Sequence, residues 1–136
     1  MEKMRTGGCA CKAVRYEISG PSEFAFHCQC RKCQRSTGGG HSSAFAVAKA
    51  NIRLIGDVRE YAQGSDNGAT TFSGFCPSCG SPVSSRTERF PDRIYIHAAT
   101  LDDPASFEPQ FIVFSSEAQK WDHMDPSLED VSAQSG

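Results

Sequence analysis

The stretch Cys76-Pro77-Ser78-Cys79-Gly80 has the C-x-x-C-G spacing of a metal-binding knuckle. Pro77 favours a turn, and Gly80 can adopt the positive φ that directs backbone N–H groups at the two sulfurs. A chain that doubles back in this way places its sulfurs roughly 3.8 Å apart, as tetrahedral zinc requires when each Zn–S bond is about 2.3 Å. The stretch therefore predicts half of a structural zinc site.

Upstream of this knuckle, the remaining cysteines fall into two groups. Cys9 and Cys11 form a C-x-C pair, and the other group is a compact triple, Cys28, Cys30 and Cys33. In a regular strand, side chains at i and i+2 point the same way but lie about 7 Å apart, so the C-x-C pair needs a bend. The adjacent Gly7 and Gly8 can supply it.

Ligand counting divides the seven cysteines into four and three. A structural zinc takes four protein ligands, which the C-x-C pair and the C-x-x-C knuckle supply together. The triple then forms a site with three thiolates, whose fourth position is free for water or substrate. This is the ligand pattern of a catalytic zinc. The residues predicted to hold two zinc ions per chain are Cys9, Cys11, Cys76 and Cys79 for the first, and Cys28, Cys30 and Cys33 for the second.

Two other arrangements of the ligands stay open. A zinc ribbon would join Cys30 and Cys33 to the knuckle, although 42 residues separate these pairs, more than the usual ~15 to 20. A closed Cys₃His site would take His27 or His41 as its fourth ligand. His27 should face away from the adjacent Cys28 in a strand, whereas His41 follows three glycines that would let it swing inward. His97 is expected to be a surface or packing residue.

Short apolar runs with a period of two predict a mainly β fold of short antiparallel strands. Val14, Tyr16 and Ile18 alternate with polar residues, and Gly and Pro clusters separate the candidates. One helical turn is predicted at residues 31–37. The predicted strands cover residues 14–18, 24–30, 44–47, 52–55, 94–96 and 111–114.

Length and composition predict one domain at residues 1–124, followed by a flexible tail at residues 125–136 rich in Ser and acidic residues. The opening residues lack the apolar core of a signal peptide, and no run is long enough to span a membrane. An odd number of cysteines cannot all pair within one chain, which disfavours disulfides. A cytoplasmic protein without a membrane partner is therefore expected.

The formal charge of −2 argues against a strong field that would attract nucleic acid. Seven thiolates and two divalent ions would contribute a further −3, so we expect no nucleic-acid partner. A redox role for Cys30 and Cys33 needs a βαβ context, which the sequence does not predict. The oligomeric state is left open, with a homodimer as one option.

Three cysteine motifs in order resemble the family of glutathione-dependent formaldehyde-activating enzymes, which includes centromere protein V. The motifs are Gly8-Cys9-Ala10-Cys11, His27-Cys28-Gln29-Cys30-Arg31-Lys32-Cys33 and Phe75-Cys76-Pro77-Ser78-Cys79-Gly80. Residues 100–104 and Lys120-Trp121 also match. The resemblance implies a zinc-binding β-tent fold, a structural zinc on the first and last motifs, and a catalytic zinc on the middle one.

The resemblance also implies a carbon–sulfur lyase that forms S-hydroxymethylglutathione from glutathione and formaldehyde. Arg31, Lys32 and Arg35 would then bind the carboxylates of glutathione, or of another small thiol. Lys12 departs from the family pattern, because Gly usually follows the second cysteine. The alternative function is a non-catalytic zinc module that binds a protein or nucleic acid through its knuckles.

Overall fold

The computed structural model describes residues 4–64 and 68–131 of this 136-residue chain. Within these ranges, eleven strands, one α-helix and four short 3₁₀ turns follow one another. The strands are β1 (Arg5–Gly8), β2 (Arg15–Ile18), β3 (Phe24–Cys28), β4 (Ser42–Ala48), β5 (Ile52–Ile55), β6 (Arg59–Gly64), β7 (Thr70–Phe75), β8 (Pro82–Thr87), β9 (Arg93–His97), β10 (Phe111–Val113) and β11 (Glu129–Asp130). The helix is α1 (Arg31–Thr37). The expected mainly β class is confirmed.

Two sheets carry the strands. A three-stranded antiparallel sheet has the order β1-β2-β5, and an eight-stranded sheet has the order β11-β10-β3-β4-β9-β8-β7-β6. The expectation of antiparallel strands fails at β10, which pairs in parallel with both β3 and β11. The cause is the connection at residues 98–110, whose 3₁₀ turns carry the chain back along the sheet before β10 begins.

The core fills the space between the two sheets. Tyr16 and Ile18 of β2 are completely buried against Phe45 and Val47 of β4, together with Ile96 of β9. Each of these side chains contributes roughly 1.5–3 kcal/mol when it leaves water. The period of two in the sequence therefore marks the inner faces of the strands, and the two cysteine clusters lie at the ends of strands that this core fixes.

All six predicted strand regions contain an observed strand, whereas five strands were not predicted. Three of these, β6, β7 and β8, form consecutive hairpins at one edge of the large sheet. The side chains of β6 are almost all exposed, so its sequence carries no buried face to give an apolar period. Residues 65–67, between β6 and β7 in sequence, lie outside the described residues.

The helix α1 forms where one helical turn was predicted. The Cys30 sulfur caps its start by accepting a hydrogen bond from the Cys33 amide, and Gly38 ends it with a φ of 79°. In the segment predicted to be a tail, β11 pairs with β10, and residues 132–136 lie outside the described residues. No helix in the described part of the chain has the length and apolarity needed to cross a membrane.

Candidate metal centres and an adjoining cavity

The first cluster brings together four cysteines from two distant parts of the chain. The Sγ of Cys11 lies 3.7 Å from the Sγ of Cys9 and 3.7 Å from the Sγ of Cys76. The Sγ of Cys79 completes a group in which all sulfurs lie within 4.8 Å of one another. These separations fit tetrahedral zinc, whose sulfur ligands are roughly 3.8 Å apart.

Backbone amides turn towards the sulfurs of this first cluster. The Val14 amide donates to the Cys9 Sγ at 3.2 Å, and the Cys79 amide donates to the Cys76 Sγ at 3.5 Å. Gly80 has a φ of 77°, as the sequence predicted, and its amide donates to the Cys76 carbonyl oxygen at 2.8 Å. Such donors stabilise thiolate charge and orient the ligands.

The second cluster consists of three cysteines from one short segment. Cys28 ends β3, Cys30 precedes α1 and Cys33 lies in its first turn, and their sulfurs also lie within 4.8 Å of one another. The Cys33 amide donates to the Cys30 Sγ at 3.3 Å. A cation bound here would therefore receive three sulfur ligands from the described residues.

The short distances between these sulfurs shift the pKa values of their thiols. Hydrogen bonding to the Cys30 and Cys33 sulfurs raises the pKa of Cys28 far above its usual range. The Cys28 and Cys33 side chains donate to Cys30 and lower the pKa of that thiol to about 3. Without a cation the three groups cannot all be thiolates, because their like charges repel at this distance. A divalent ion would remove this repulsion, and this chemistry fits zinc.

The alternative ligand sets can now be compared with the geometry. The zinc ribbon needs Cys30 and Cys33 beside Cys76 and Cys79, but these pairs lie in separate clusters. Neither His27 nor His41 joins the three sulfurs of the second cluster within the described ranges. His27 and Cys28 are consecutive residues of β3, so their side chains lie on opposite faces of the strand. The Nδ1 of His27 lies 2.9 Å from the Ser43 hydroxyl.

Asp122 holds His41 beside the second cluster. The Nδ1 of His41 lies 2.9 Å and 3.0 Å from the two oxygens of Asp122, and the Gln29 amide group donates to the same carboxylate at 3.0 Å. Gly40 makes this approach possible, because a Cβ there would lie 2.3 Å from the Asp122 Cγ. Sequence reasoning missed Asp122, which lies 81 residues from His41. The only signal was its place beside Lys120-Trp121, which matches the family.

Three basic residues of α1 were predicted to bind substrate carboxylates. Arg31 donates to the Gln34 side chain, and Lys32 donates through Nζ to the Gly64 carbonyl oxygen at 2.6 Å. Arg35 is exposed on the helix. All three lie next to the second cluster in sequence, and none of them forms an ion pair with a described residue.

A cavity of about 640 Å³ adjoins the first cluster, and Thr37 and His41 line it on the part of the chain that follows the second cluster. Cys9 lines it on one side, and Thr37 lines it where its hydroxyl donates to the Cys33 carbonyl oxygen. His97, expected to be a surface or packing residue, also lines this space, and burial lowers its pKa. The volume lies within the roughly 300–1,000 Å³ typical of small-molecule sites.

The chain matches one protein family and one curated protein. The family model described as glutathione-dependent formaldehyde-activating enzyme matches residues 4–117. A curated protein of Halomonas elongata, provisionally named a glutathione-dependent formaldehyde-activating enzyme, is 25% identical over 109 residues, which cover 76% of this chain and 69% of that protein.

The fold also has a counterpart among solved structures. A crystal structure of a Rhodobacter sphaeroides protein superposes with a TM-score of 0.58 at 24% identity, covering 71% of this chain and 87% of the other. This likeness concerns the fold alone. The family match extends over most of the described residues and includes all seven cysteines. The predicted resemblance is thus confirmed, and the chain belongs to the glutathione-dependent formaldehyde-activating enzyme family.

Proposed function

We propose that this protein is a zinc-dependent carbon–sulfur lyase that forms S-hydroxymethylglutathione from glutathione and formaldehyde. In this addition, the thiol sulfur bonds to the formaldehyde carbon, the C=O π bond opens and the thiol proton ends on the new hydroxyl oxygen. No oxidant or further reactant is needed. The reverse reaction breaks the carbon–sulfur bond, as the lyase class requires.

The observation that carries the proposal is the number of ligands in the second cluster. Cys28, Cys30 and Cys33 offer three sulfurs, and no His, Asp or Glu of the described ranges completes the set. Catalytic zinc sites characteristically use three protein ligands and keep one position for a water or substrate. When bound, zinc would lower the pKa of the thiol that coordinates it, so that the thiol reacts as a thiolate.

The second cluster comes from one short segment, and solvent reaches part of it, as a site that exchanges ligands requires. Cys28 is buried, whereas Cys30 and Cys33 are half-buried. The first cluster would hold the other zinc, with four sulfurs and a structural role. None of the comparisons supports the alternative of a non-catalytic binding module.

The exposed guanidinium of Arg35 is the leading candidate for binding a carboxylate of the thiol substrate, because Arg forms paired hydrogen bonds with carboxylates. Arg31 and Lys32 would support it through their charge. A cytoplasmic location fits this chemistry, because that compartment keeps thiols reduced.

The proposal is tested by following ¹³C-formaldehyde and glutathione by NMR exchange spectroscopy with zinc-loaded protein. We expect exchange between the free aldehyde and the adduct to exceed the spontaneous rate, and Cys30→Ser to return it to that rate. An unchanged rate in the presence of folded, zinc-loaded wild-type protein would reject the proposal.

Binding gives an independent readout. In calorimetry, glutathione should bind at least about tenfold more tightly than S-methylglutathione, because the methylated sulfur cannot supply a thiolate. Lys49→Ala serves as the control for removal of a cation, because Lys49 is exposed and follows the end of β4 opposite to Ser42, the residue that pairs with Cys28. Equal affinities for the two peptides would reject thiol capture at the second cluster.

A further inference from the structure

The cavity that adjoins the first cluster is lined by one cationic side chain that has no ion-pair partner among the described residues. Its charged lining residues are Lys12, Arg15 and Asp102. Arg15 donates to both oxygens of Asp102, at 2.9 Å and 2.6 Å, and the Thr6 hydroxyl donates to the same carboxylate at 2.6 Å. Arg15 and Asp102 therefore form an ion pair, and Lys12 is the remaining cationic side chain of this lining.

Lys12 occupies a backbone conformation that does not suit its side chain. Its φ is 69°, in the left-handed region that glycine adopts without strain. Its amide donates to the Cys9 carbonyl oxygen at 3.2 Å, which closes the turn between the first two cysteines. Its side-chain ammonium forms no ion pair with a described residue. A lysine at this position thus costs conformational energy and places an unpaired cation beside a cavity.

His41 offers a second polar group to the same cavity. A carboxylate only accepts hydrogen bonds, so the contact with Asp122 places the proton of neutral His41 on Nδ1. Its Nε2 is then a hydrogen-bond acceptor. Asp122 is a positioning residue, because it fixes this tautomer and the orientation of the ring without lining the cavity itself. Ser43 lines the cavity beside His41 and can donate or accept.

We propose that the cavity binds one carboxylate-bearing end of the thiol substrate, with Lys12 contacting the carboxylate and His41 accepting a hydrogen bond from the same ligand. The inference rests on the proposed function in taking a glutathione-like peptide as the ligand. Such a peptide has a carboxylate at each end, so Lys12 acts in addition to Arg35. One unpaired lysine matches a singly charged carboxylate better than a phosphate dianion.

The test measures binding of S-methylglutathione to zinc-loaded protein by calorimetry, since this probe cannot provide a thiolate. Lys12→Gly removes the cation and relieves the positive φ, so its melting temperature should equal or exceed that of the wild type. We expect the variant to bind S-methylglutathione about tenfold more weakly. Lys12→Arg keeps the charge and should bind within about threefold of the wild type.

A second arm identifies the carboxylate. The glycyl ethyl ester of S-methylglutathione and its γ-glutamyl ester each lack one carboxylate. One of the two esters should bind wild-type protein about tenfold more weakly and should lose nothing further in Lys12→Gly, as a double-mutant cycle requires for directly interacting groups. If Lys12→Gly weakens the binding of both esters and of the free acid by the same factor, Lys12 does not contact either carboxylate.

The outcomes separate this inference from the proposed function. If Cys30→Ser abolishes the advantage of glutathione but Lys12→Gly leaves the affinity for S-methylglutathione unchanged, the cavity site is wrong and thiol capture stands. If both peptides bind equally and both depend on Lys12, thiol capture is wrong and the cavity site stands. A zinc content below that of the wild type in Lys12→Gly would also overturn the inference, because Lys12 would then serve only to balance thiolate charge at the first cluster.

Discussion

The two cysteine clusters differ in how much of the chain each one joins. In the first cluster, Cys11 and Cys76 lie 65 residues apart in sequence, yet their sulfurs are 3.7 Å apart. In the second cluster, Cys28 and Cys33 belong to one strand end and the helix that follows it. A metal ion in the first site would close a long loop, whereas one in the second would only organise a short segment.

Because of this difference, a zinc ion at the first cluster would stabilise the fold, whereas one at the second cluster would be free to react. Cross-linking distant segments lowers the entropy of the unfolded chain, and four sulfurs satisfy a zinc ion fully. Three sulfurs from six consecutive residues contribute little to closing the fold, so their zinc can retain a position for exchange. The same metal would therefore serve folding at one site and chemistry at the other, according to the topology of its ligands.

The largest expected effect distinguishes the two clusters by stability. Cys76→Ser removes a completely buried ligand of the long-range site, and structural zinc contributes on the order of 10 kcal/mol to the folding of small domains. We expect this variant to unfold or aggregate, as followed by circular dichroism and thermal melting. Cys30→Ser should fold and melt cooperatively. Equal melting of the two variants would remove the distinction.

Metal release should also distinguish the clusters. We expect close to two zinc ions per purified chain, with the ion at the second cluster lost first when a chelator is added. The reason is that it has three protein ligands instead of four and two half-buried sulfurs. Elemental analysis during the titration checks the order, with the folded Cys30→Ser variant as the reference for one zinc. Simultaneous release of both ions would contradict the assignment.

A smaller effect concerns the network beside the second cluster. In Gly40→Ala, the new Cβ would collide with Asp122, so the contacts of Asp122 with His41 and Gln29 must shift. Overpacking of this kind typically costs about 1–3 kcal/mol. Gly39→Ala is the matched control, because its Cβ meets only the Thr37 hydroxyl at 3.8 Å. Urea unfolding measures both variants, and equal midpoints would show that Asp122 is not held as described.

The smallest expected effect is a pH dependence of stability that arises beside the cavity. Burial lowers the pKa of His97, so the folded state binds a proton less readily than the unfolded state, whose His pKa is about 6.5. Stability should therefore fall as the pH drops below about 6.5 towards the folded pKa, by at most ~1.4 kcal/mol per pH unit. His97→Gln should lose this part of the slope in urea unfolding from pH 7.5 to 5.5. His123→Gln, at an exposed position, should keep it.

Much of the fold could be predicted from local patterns. The period of two at Tyr16 and Ile18 marks a strand with one buried face, and the spacing of the cysteines anticipates the two groups that the structure brings together. The hairpins of β6 to β8 lacked this signal, because exposed and hydroxyl-bearing side chains leave no apolar period. Their pairing follows from the neighbouring strands rather than from their own composition.

The surroundings of the clusters were harder to predict because they depend on long-range contacts. Asp122 contacts His41 across 81 residues of sequence, and the neighbouring Lys120-Trp121 gave no indication of that contact. His97 lines the cavity because β9 ends there. Lys12 gave a local signal, since it replaces a glycine of the family pattern. The sequence alone did not connect that replacement with a cavity.

Anomalous diffraction at the zinc absorption edge tests the division into four and three ligands most directly. We predict two peaks per chain, one among the sulfurs of Cys9, Cys11, Cys76 and Cys79, and one among those of Cys28, Cys30 and Cys33 with a fourth ligand that does not belong to the protein. A single peak shared by Cys30, Cys33, Cys76 and Cys79, or a second peak bonded to His41, would contradict this account.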